Sequence, residues 1–336
     1  MSALTALRTP DHDAHSVLIA LRTLTPLYTG GVGQHGDQIH PSGLLGGLRK
    51  FSCLLAAAIG DGEFEHTVWG TPTDAKKHHA KQVALRIDPS GLNKIRPVAA
   101  ANGCINWPRP DGKPRSGWYY NVAQDGVLRL TLTRRGISDP QHWQLLLLAL
   151  RIQIRYATLG SRDQWGLGVL ATDELPAVEP LQPCQTAPLS DRPGLHRALF
   201  VEIRFSRSLP SDWLVRLKEG LRWREKLRGS FRNEGEKDLR HYLFGKLGQY
   251  GSAINISALY PYGGKGCALR IWGVIPHTTS LRFADQRNQI VQKLRQAIEE
   301  GPNAVWPGER HVVWQDGAAH QTDLATWINQ LAGVVA

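Results

Sequence analysis

Residues 22–51, RTLTPLYTGGVGQHGDQIHPSGLLGGLRKF, contain the pattern around which the rest of the chain is organised. The segment from Val17 to Tyr28 is rich in large aliphatic and β-branched residues, which predicts a buried strand. It ends in a glycine cluster, Thr29 to Gly33, that can turn sharply and bring backbone N–H groups close to a ligand. Pro41 and Ser42 then begin a predicted helix, with Ser42 as its N-cap.

The predicted helix carries glycines beside its apolar core face. These glycines and one lysine form a second stripe, made of Gly43, Gly46, Gly47 and Lys50. Because a glycine inside a helix costs about 1 kcal/mol relative to alanine, three of them need a reason. One interpretation is tight packing against a neighbouring strand. The other is the approach of a phosphate-bearing backbone, which Lys50, Arg49 and the helix N-terminus would all favour. Both stay open.

The composition indicates a globular protein with a polyanionic partner. The chain has 336 residues, enough for two domains, and 42% of them are hydrophobic. Its net charge is +11 and its isoelectric point about 9.7, which favours nucleic acid as the partner. Because no long basic amphipathic helix is found, a membrane surface is a poorer candidate. The 34 glycines and 11 tryptophans offer open backbone and flat rings for holding single strands.

The sequence contains no sign of export or of membrane insertion. Residues 1–15 have no apolar core, as a signal peptide would require. The most apolar segment, Leu145 to Leu150, is far shorter than the roughly 20 residues of a membrane span. The four cysteines, at positions 53, 104, 184 and 267, form no CxxC pair, which favours reduced structural thiols. We therefore expect a cytoplasmic protein without a membrane partner.

The remainder of the first part reads as an interrupted α/β pattern. Prolines break residues 60–117 into a predicted insertion of loops with one short strand, Val83 to Ile87. A second strand is predicted from Val127 to Thr133 and is followed by the basic turn Arg134-Arg135. Asp139 and Pro140 supply an N-cap and a first-turn proline for a buried helix that ends at about Tyr156. A second glycine loop follows at residues 159–168, and then a short strand, residues 169–171.

The second part begins after a proline-rich linker at residues 172–196. A strand is predicted from Ala198 to Phe205, followed by a strongly charged helical segment from Trp213 to Arg240 whose basic excess marks it as a candidate surface for RNA or for a neighbouring subunit. Another strand is predicted from Ala268 to Ile275. The pattern then predicts a helix around residues 290–298, a strand near residues 311–314 and a last helix around residues 324–331.

The motifs resemble those of the RAMP proteins of CRISPR systems, and among them the first-subunit family of the Cmr module of type III-B effector complexes. The N-terminal motif is P-L-(aromatic)-T-G-G followed by P-S-x-(x)-G-x-L-R, found here at residues 26–31 and 41–49. The second glycine loop matches G-x-R-x-x-x-G-x-G at Gly160, Arg162, Gly166 and Gly168. In the second part, residues 240–245, 251–257 and 270–276 match further segments of the same family.

The resemblance implies an α+β protein made of two tandem ferredoxin-like (RRM-like) RAMP domains with loop insertions. The expected boundaries are residues 16–171 for the first domain, with an insertion at about 60–117, and 197–336 for the second. The implied function is RNA binding without catalysis, in an antiviral ribonucleoprotein. The protein would hold the 3′ region of the guide RNA and the paired target RNA beside other RAMP subunits. No cofactor is expected.

The predicted RNA-binding residues belong to the two glycine loops, the first helix, the basic turn and the second-part motif. They are Gly30, Gly31, Ser42, Gly43, Gly46, Gly47, Arg49, Lys50, Arg134, Arg135, Gly160, Ser161, Arg162, Trp165, Arg240 and His241. We expect Arg49, Lys50, Arg134 and Arg162 to contact phosphates. Trp165 would stack on a base or cap the core.

Three alternatives remain open. Some relatives in the family cut target RNA with an aspartate in the loop before the P-S-x helix, and Asp37 occupies a comparable place. With Mg²⁺ or Mn²⁺ it would make the protein a metal-dependent endoribonuclease, although an Asp that caps the loop is equally ordinary. A nuclease with His35 or His40 as general base is a second option. A scaffold that binds acidic subunits is the third. The GxGxxG string at residues 31–36 opens no helix and is not a dinucleotide site.

Overall fold

The computed structural model describes residues 16–29, 38–70, 80–95, 107–108, 114–115, 122–160, 166–182, 188–189, 192–245, 252–275, 283–301 and 310–334. Within these residues the protein has six α-helices and two main antiparallel sheets. The fold is therefore mixed α/β with antiparallel sheets, which agrees with the predicted α+β class.

The first half of the structure contains one helix after its first strand and another before its last. Its elements are β1 (Ser16–Thr23), α1 (Pro41–Ala58), β2 (Val83–Ile95), β3 (Trp107–Pro108), β4 (Pro114–Arg115), β5 (Ala123–Arg134), α2 (Pro140–Tyr156) and β6 (Leu170–Ala171). The main sheet has the strand order β2-β5-β1-β6, and β3 pairs only with β4. Omitting that small pair, the chain follows a β-α-β-β-α-β path.

The second half follows the same path with additional elements. These are β7 (Ala198–Phe205), α3 (Trp213–Gly229), α4 (Lys237–Phe244), β8 (Ile254–Ile256), β9 (Tyr260–Tyr262), β10 (Gly266–Val274), α5 (Arg287–Glu300), β11 (Arg310–Asp316) and α6 (Leu324–Ala332). Its sheet has the order β11-β7-β10-β8, with β9 also paired to β10. With the β3-β4 pair and β9 left out, the first and third strands of each half, β1 and β5 or β7 and β10, lie side by side in the middle of the sheet.

Helices α1 and α2 lie between the two sheets. The Phe51 ring of α1 lies 6.4 Å from that of Phe200 in β7 and 6.0 Å from that of Trp272 in β10. Tyr156, at the end of α2, lies 5.6 Å from Phe200. The other face of the second sheet packs against α3, α4 and α5 in a separate core. Because both of its faces are covered, nearly every residue of β10 is buried.

The structure confirms several predicted elements. Strand β7 has the predicted limits, Ala198 and Phe205. Helix α2 spans Pro140–Tyr156, and its N-cap Asp139 accepts a hydrogen bond from Gln141 N at 2.8 Å. Eleven of its residues are buried, as its broad leucine pattern indicated. Among the described residues, none of the helices combines the length and the apolar character needed to cross a bilayer.

Several local predictions were wrong. Strand β1 ends at Thr23, since the backbone N–H groups of the next two residues turn to the carbonyl of Val169. The N-cap of α1 is His40, not Ser42, which lies one residue inside the helix. The charged segment 213–240 is two helices, α3 and α4, interrupted by a turn that contains Gly235 with a φ of +88°.

Candidate nucleic-acid interface

The described ends of the two glycine loops are joined to each other. Gly168 N donates to the carbonyl of Pro26 at 2.9 Å, and Leu159 N donates to the carbonyl of Gly168 at 2.9 Å. Gly160 has a φ of +113°, and a Cβ there would lie 2.7 Å from the Tyr28 carbonyl oxygen. These contacts place the stems of both loops beside the N-terminal half of α1, as a shared RNA-binding surface would require.

Close packing requires one glycine of α1. A Cβ on Gly43 would lie 2.4 Å from the Thr29 carbonyl oxygen, whereas one on Gly47 would lie 3.4–3.6 Å from Leu159 and Gly160, at ordinary van der Waals distance. The interpretation of tight packing is therefore correct for Gly43, and Gly47 could carry a methyl group. It does not extend to Gly46, because no atom lies within 4 Å of its Cβ position.

Gly46 belongs to an exposed stripe on α1. Residues four apart lie above one another on a helix, so Ser42, Gly46 and Lys50 form one row. All three are exposed. We call this row the α1 stripe. Its middle is bare backbone, which an approaching chain can reach more closely than at any residue with a side chain.

Thr29 holds the beginning of α1 against the end of the first strand segment. Its hydroxyl oxygen accepts a hydrogen bond from His40 N at 2.8 Å. The backbone on either side of residues 30–37 is thereby tied together by one threonine side chain. This gives the threonine of the P-L-(aromatic)-T-G-G motif a structural role that the sequence alone did not indicate.

The cations of α1 have partners that phosphates can displace. Arg49 Nη2 lies 2.9 Å from Glu65 Oε1, and Arg192 Nη1 lies 3.9 Å from the other oxygen of Glu65. Such half-exposed pairs are worth about 0–1 kcal/mol. Lys50 Nζ lies 5.8 Å from the centroid of the Trp272 ring. Two arginines therefore share one carboxylate, and Lys50 adds a third positive charge on α1.

The structure does not bring Arg134 and Arg135 to this surface. Arg134 is at the far end of β5 from Gln124, which pairs with Leu27, and ten residues of strand span roughly 30 Å. Arg134 Nε donates to the carbonyl of Ile137 at 2.7 Å, while Arg135 is exposed in the same turn. These two arginines are thus remote from the glycine loops.

Arg240 and His241 lie on α4, on the opposite side of the second sheet from α1. Leu239, Leu243 and Phe244 of that helix belong to the core on the outer face of this sheet. Arg240 Nε is buried and has no hydrogen-bond partner within the described residues. Six other candidates, Gly30, Gly31, Asp37, Ser161, Arg162 and Trp165, lie outside the described residues, as does His35.

The sequence did not reveal that residues of the second half hold the end of α2. Arg270 Nη1 donates to the carbonyls of Ile154 and Ala157, at 2.9 and 3.2 Å. Trp272 Nε1 donates to Thr158 Oγ1 at 2.9 Å. The chain just before Gly160 is therefore fixed by β10. The only signal was the R-I-W-G string, which carried the family resemblance but no indication of a contact.

A second contact ties the glycine loop to the second half. Gly166 and Ser257 form a parallel bridge, in which Ala258 N donates to the Gly166 carbonyl at 3.0 Å. A Cβ on Gly166 would lie 2.8 Å from Ala258 N. Gly220 of α3 packs equally closely on Ser257, whose carbonyl oxygen would be 2.4 Å from a Cβ there. Backbone packing therefore accounts for Gly166.

The arrangement is suited to binding an anionic chain. It offers an exposed glycine, nearby cations and two loop stems held rigidly by both halves. Among the described residues, no group of three or more His, Cys, Asp or Glu side chains is placed to hold a metal ion. His40 is the N-cap of α1 and is half-buried.

Comparisons with known proteins give a consistent set of similar structures. No protein-family model and no curated protein matches the chain. Cmr1 from Pyrococcus furiosus is similar at 14% identity over 90% of this chain and 99% of that chain, with a TM-score of 0.48. A chain of the type III-B Cmr-beta complex bound to cognate target RNA and AMPPnP is similar at 11% identity over 84% and 99%, with a TM-score of 0.49. A chain of the same complex bound to cognate target RNA has 10% identity, the same coverage and a TM-score of 0.47. Cmr1 and the type III-B Cmr-beta complex belong to the Cmr module whose motifs the sequence resembles.

Proposed function

We propose that this protein is an RNA-binding, non-catalytic subunit of a type III-B CRISPR ribonucleoprotein. It would hold the 3′ region of the guide RNA and the paired target RNA and would contact other RAMP subunits. The motifs at residues 26–31, 41–49 and 160–168 support the family. The net charge of +11 supports a nucleic-acid partner.

The proposal includes two ferredoxin-like RAMP domains in tandem. Each half follows a β-α-β-β-α-β path, and in each sheet the third strand of this path lies beside the first strand, which has the fourth strand on its other side. We assign residues 16–171 to the first domain, residues 172–196 to a linker and residues 197–336 to the second domain. The close contacts between α1, α2 and the second sheet support a single rigid surface formed by both.

The observation that carries the proposal is Gly46. A glycine inside a helix destabilises it, and close packing explains Gly43 but not Gly46, which is exposed and has no atom within 4 Å of its Cβ position. The bare backbone of Gly46 lies one helical turn before Arg49 and Lys50. It is in the N-terminal half of α1, which lies beside the stems of the glycine loops. Close approach of a sugar-phosphate backbone accounts for both the missing side chain and the charges.

Replacing Gly46 by alanine is expected to separate stability from RNA binding. Without a neighbour to displace, Gly46→Ala should raise the free energy of unfolding by about 0.5–1 kcal/mol. If a phosphate backbone contacts this position, the added methyl group should weaken RNA binding by about tenfold, or ~1.4 kcal/mol. Urea denaturation and fluorescence anisotropy with a single-stranded RNA measure the two effects.

Gly62→Ala is the matched control, because Gly62 is also exposed with no atom within 4 Å of its Cβ position. It should leave RNA affinity unchanged. A Gly46→Ala variant that is stabilised and binds RNA as tightly as the unmodified protein would remove the α1 stripe from the interface.

Removal of the two cations on α1 is expected to change the salt dependence of binding. Arg49→Ala/Lys50→Ala should weaken RNA binding and reduce the slope of log affinity against log salt by about 0.7 for each lost contact with a single strand. A control variant with the same loss of charge, Arg232→Ala/Lys237→Ala, changes two exposed residues beyond the second sheet. An equal change in both variants would indicate a nonspecific effect of net charge and would contradict a localised site.

A cleavage assay with the same single-stranded RNA distinguishes binding from cutting. Incubation with Mg²⁺ or Mn²⁺ should leave the RNA intact under the proposed function. Metal-dependent cutting that Asp37→Ala abolishes would instead establish the endoribonuclease hypothesis. Absence of RNA binding, together with binding to acidic subunits, would establish the scaffold hypothesis.

A further inference from the structure

A basic cavity lies at one edge of the second sheet, apart from the surface of α1. Its volume is about 600 Å³, within the range of small-ligand sites and sufficient for one nucleotide. The ends of β7, β9, β10 and β11 line it, and its side chains include Arg204, Tyr262, Lys265 and His311. None of the lining residues is an Asp or a Glu.

Arg204 is held in place with its terminal nitrogens available. Its Nε donates to Glu202 Oε1 at 2.7 Å. The second oxygen of Glu202 accepts a hydrogen bond from the Tyr260 hydroxyl at 2.6 Å and lies 3.8 Å from Arg270 Nε. Because Glu202 is shared with Arg270, it does not neutralise Arg204 completely. Within the described residues, neither Nη atom of Arg204 has a hydrogen-bond partner.

Tyr262 provides an aromatic platform at the mouth of the cavity. It is 37% exposed, one of three large hydrophobic residues described as exposed. The Arg204 guanidinium carbon lies 4.6 Å from the centroid of the Tyr262 ring, as in a cation–π pair. Aromatic rings and arginine planes that reach the surface are the groups on which unpaired RNA bases stack.

The hairpin between β9 and β10 exposes its backbone beside Tyr262. Gly263 and Gly264 have φ values of +59° and +78°, and no atom lies within 4 Å of either Cβ position. The turn has three residues, 263–265, because Tyr262 pairs with Gly266, and glycine readily adopts the two successive positive φ angles in it. The turn also leaves bare backbone next to Lys265, which is exposed. The segment YPYGGKG, residues 260–266, thus combines two aromatic residues, an open turn and a cation.

The described end of the second glycine loop packs against the strands that line this cavity. Val169, which follows Gly168, packs with Tyr260 of β9 and Ala268 of β10. Tyr262 is two residues beyond Tyr260 and on the same face of β9, about 7 Å farther along. The cavity therefore lies close enough to the end of the second glycine loop at Gly168 and Val169 for one RNA segment to contact both regions.

We propose that this cavity binds one nucleotide of a single-stranded RNA segment, with the base stacked on Tyr262 and the phosphate held by Arg204 and Lys265. The inference rests on the proposed RNA-binding function and adds a contact in the second half. Arg310 lines the cavity too, but its guanidinium donates to the carbonyl of Glu299, so it is not counted among the phosphate ligands.

The test compares Tyr262→Ala with Tyr262→Phe. Loss of the ring should weaken the binding of single-stranded RNA by about tenfold, whereas phenylalanine keeps the stacking surface and should bind within about twofold. Lys265→Ala should reduce the salt slope by about 0.7, and Lys237→Ala, an exposed lysine on α4, should not. Fluorescence anisotropy at several salt concentrations measures all four variants.

Photocrosslinking locates the contact directly. RNA that carries 4-thiouridine should crosslink within residues 260–266, as detected by mass spectrometry, and Tyr262→Ala should abolish the crosslink. Unchanged affinity of Tyr262→Ala in a protein whose binding still depends on Arg49 and Lys50 would overturn the cavity proposal alone. No RNA binding by the unmodified protein would overturn both proposals. If the Tyr262 and Lys265 variants lost only the assembly with another subunit, the cavity would belong to an acidic protein partner and our inference would be wrong.

Discussion

Arg270→Ala is expected to lower the free energy of unfolding by about 3–5 kcal/mol. Arg270 is 8% exposed and joins the two halves of the structure. Its guanidinium donates to two carbonyls at the end of α2 and to the Tyr260 hydroxyl, and it lies near Glu202. Its removal takes away the guanidinium donor from the two buried carbonyls and from the Tyr260 hydroxyl, and water cannot readily replace it.

Urea denaturation followed by circular dichroism measures this effect. Arg129→Ala is the matched control, since Arg129 and its partner Asp88 are both about half exposed and 3.6 Å apart. Such a surface pair should contribute no more than about 1 kcal/mol. Arg270→Lys should be intermediate, because one ammonium group cannot reach all the acceptors of a guanidinium. A loss below 1 kcal/mol for Arg270→Ala would show that β10 does not hold α2.

Gly168→Ala is expected to lower the free energy of unfolding by at least about 2 kcal/mol. Gly168 has a φ of +83°, and a Cβ there would lie 2.2 Å from the Leu159 carbonyl oxygen. Since that contact is to backbone, no side chain can rotate away to relieve it. The shift would weaken the hydrogen bond from Gly168 N to Pro26, on which the joined stems of the two glycine loops depend.

Gly263→Ala separates the cost of a positive φ from the cost of the collision with the Leu159 carbonyl oxygen. Gly263 also has a positive φ, but no atom lies within 4 Å of its Cβ position, so alanine there should cost only about 1 kcal/mol. If both variants lost the same amount of stability, the collision with Leu159 would contribute nothing. In that case the loop stems would be less tightly packed than the structure indicates.

Local patterns predicted much of the secondary structure correctly. Asp139 and Pro140 mark the beginning of α2 through a side-chain cap and a preset φ, both of which act within a few residues. The apolar run from Ala198 to Phe205 likewise coincides with β7. These signals depend on neighbouring residues in the chain, and tertiary contacts reinforce them.

Predictions that depended on distant contacts were less accurate. The strand β2 extends to Ile95 rather than Ile87, because β5 offers it a pairing partner across an irregularity near Gly91. The cap of α1 moves to His40 because the Thr29 side chain, eleven residues earlier, binds its backbone N–H. Neither partner can be recognised from a local window.

In the candidate site, too, local motifs gave correct predictions, whereas predictions that depended on distant contacts were less accurate. The motifs identified α1 and the glycine loops as a unit, and the structure places the described parts of the loops together. It places Arg134 at the far end of the first sheet and Arg240 beyond the second sheet. Both had been grouped with the loops by charge and by family resemblance, neither of which carries information on distance.

By itself, the sequence determined the α+β class, most of the helices and strands and the basic character of this protein. These follow from periodicity, capping residues and net charge, which are properties of the chain. Only the tertiary structure decided which glycines serve packing, which cations lie together and that the second half holds the loop of the first. Those outcomes depend on which atoms come into contact in the folded chain. Gly43 packs against the backbone of Thr29, whereas no atom lies within 4 Å of the Cβ position of Gly46. Such close contacts arise when the two sheets enclose α1 and α2, and no single segment encodes them.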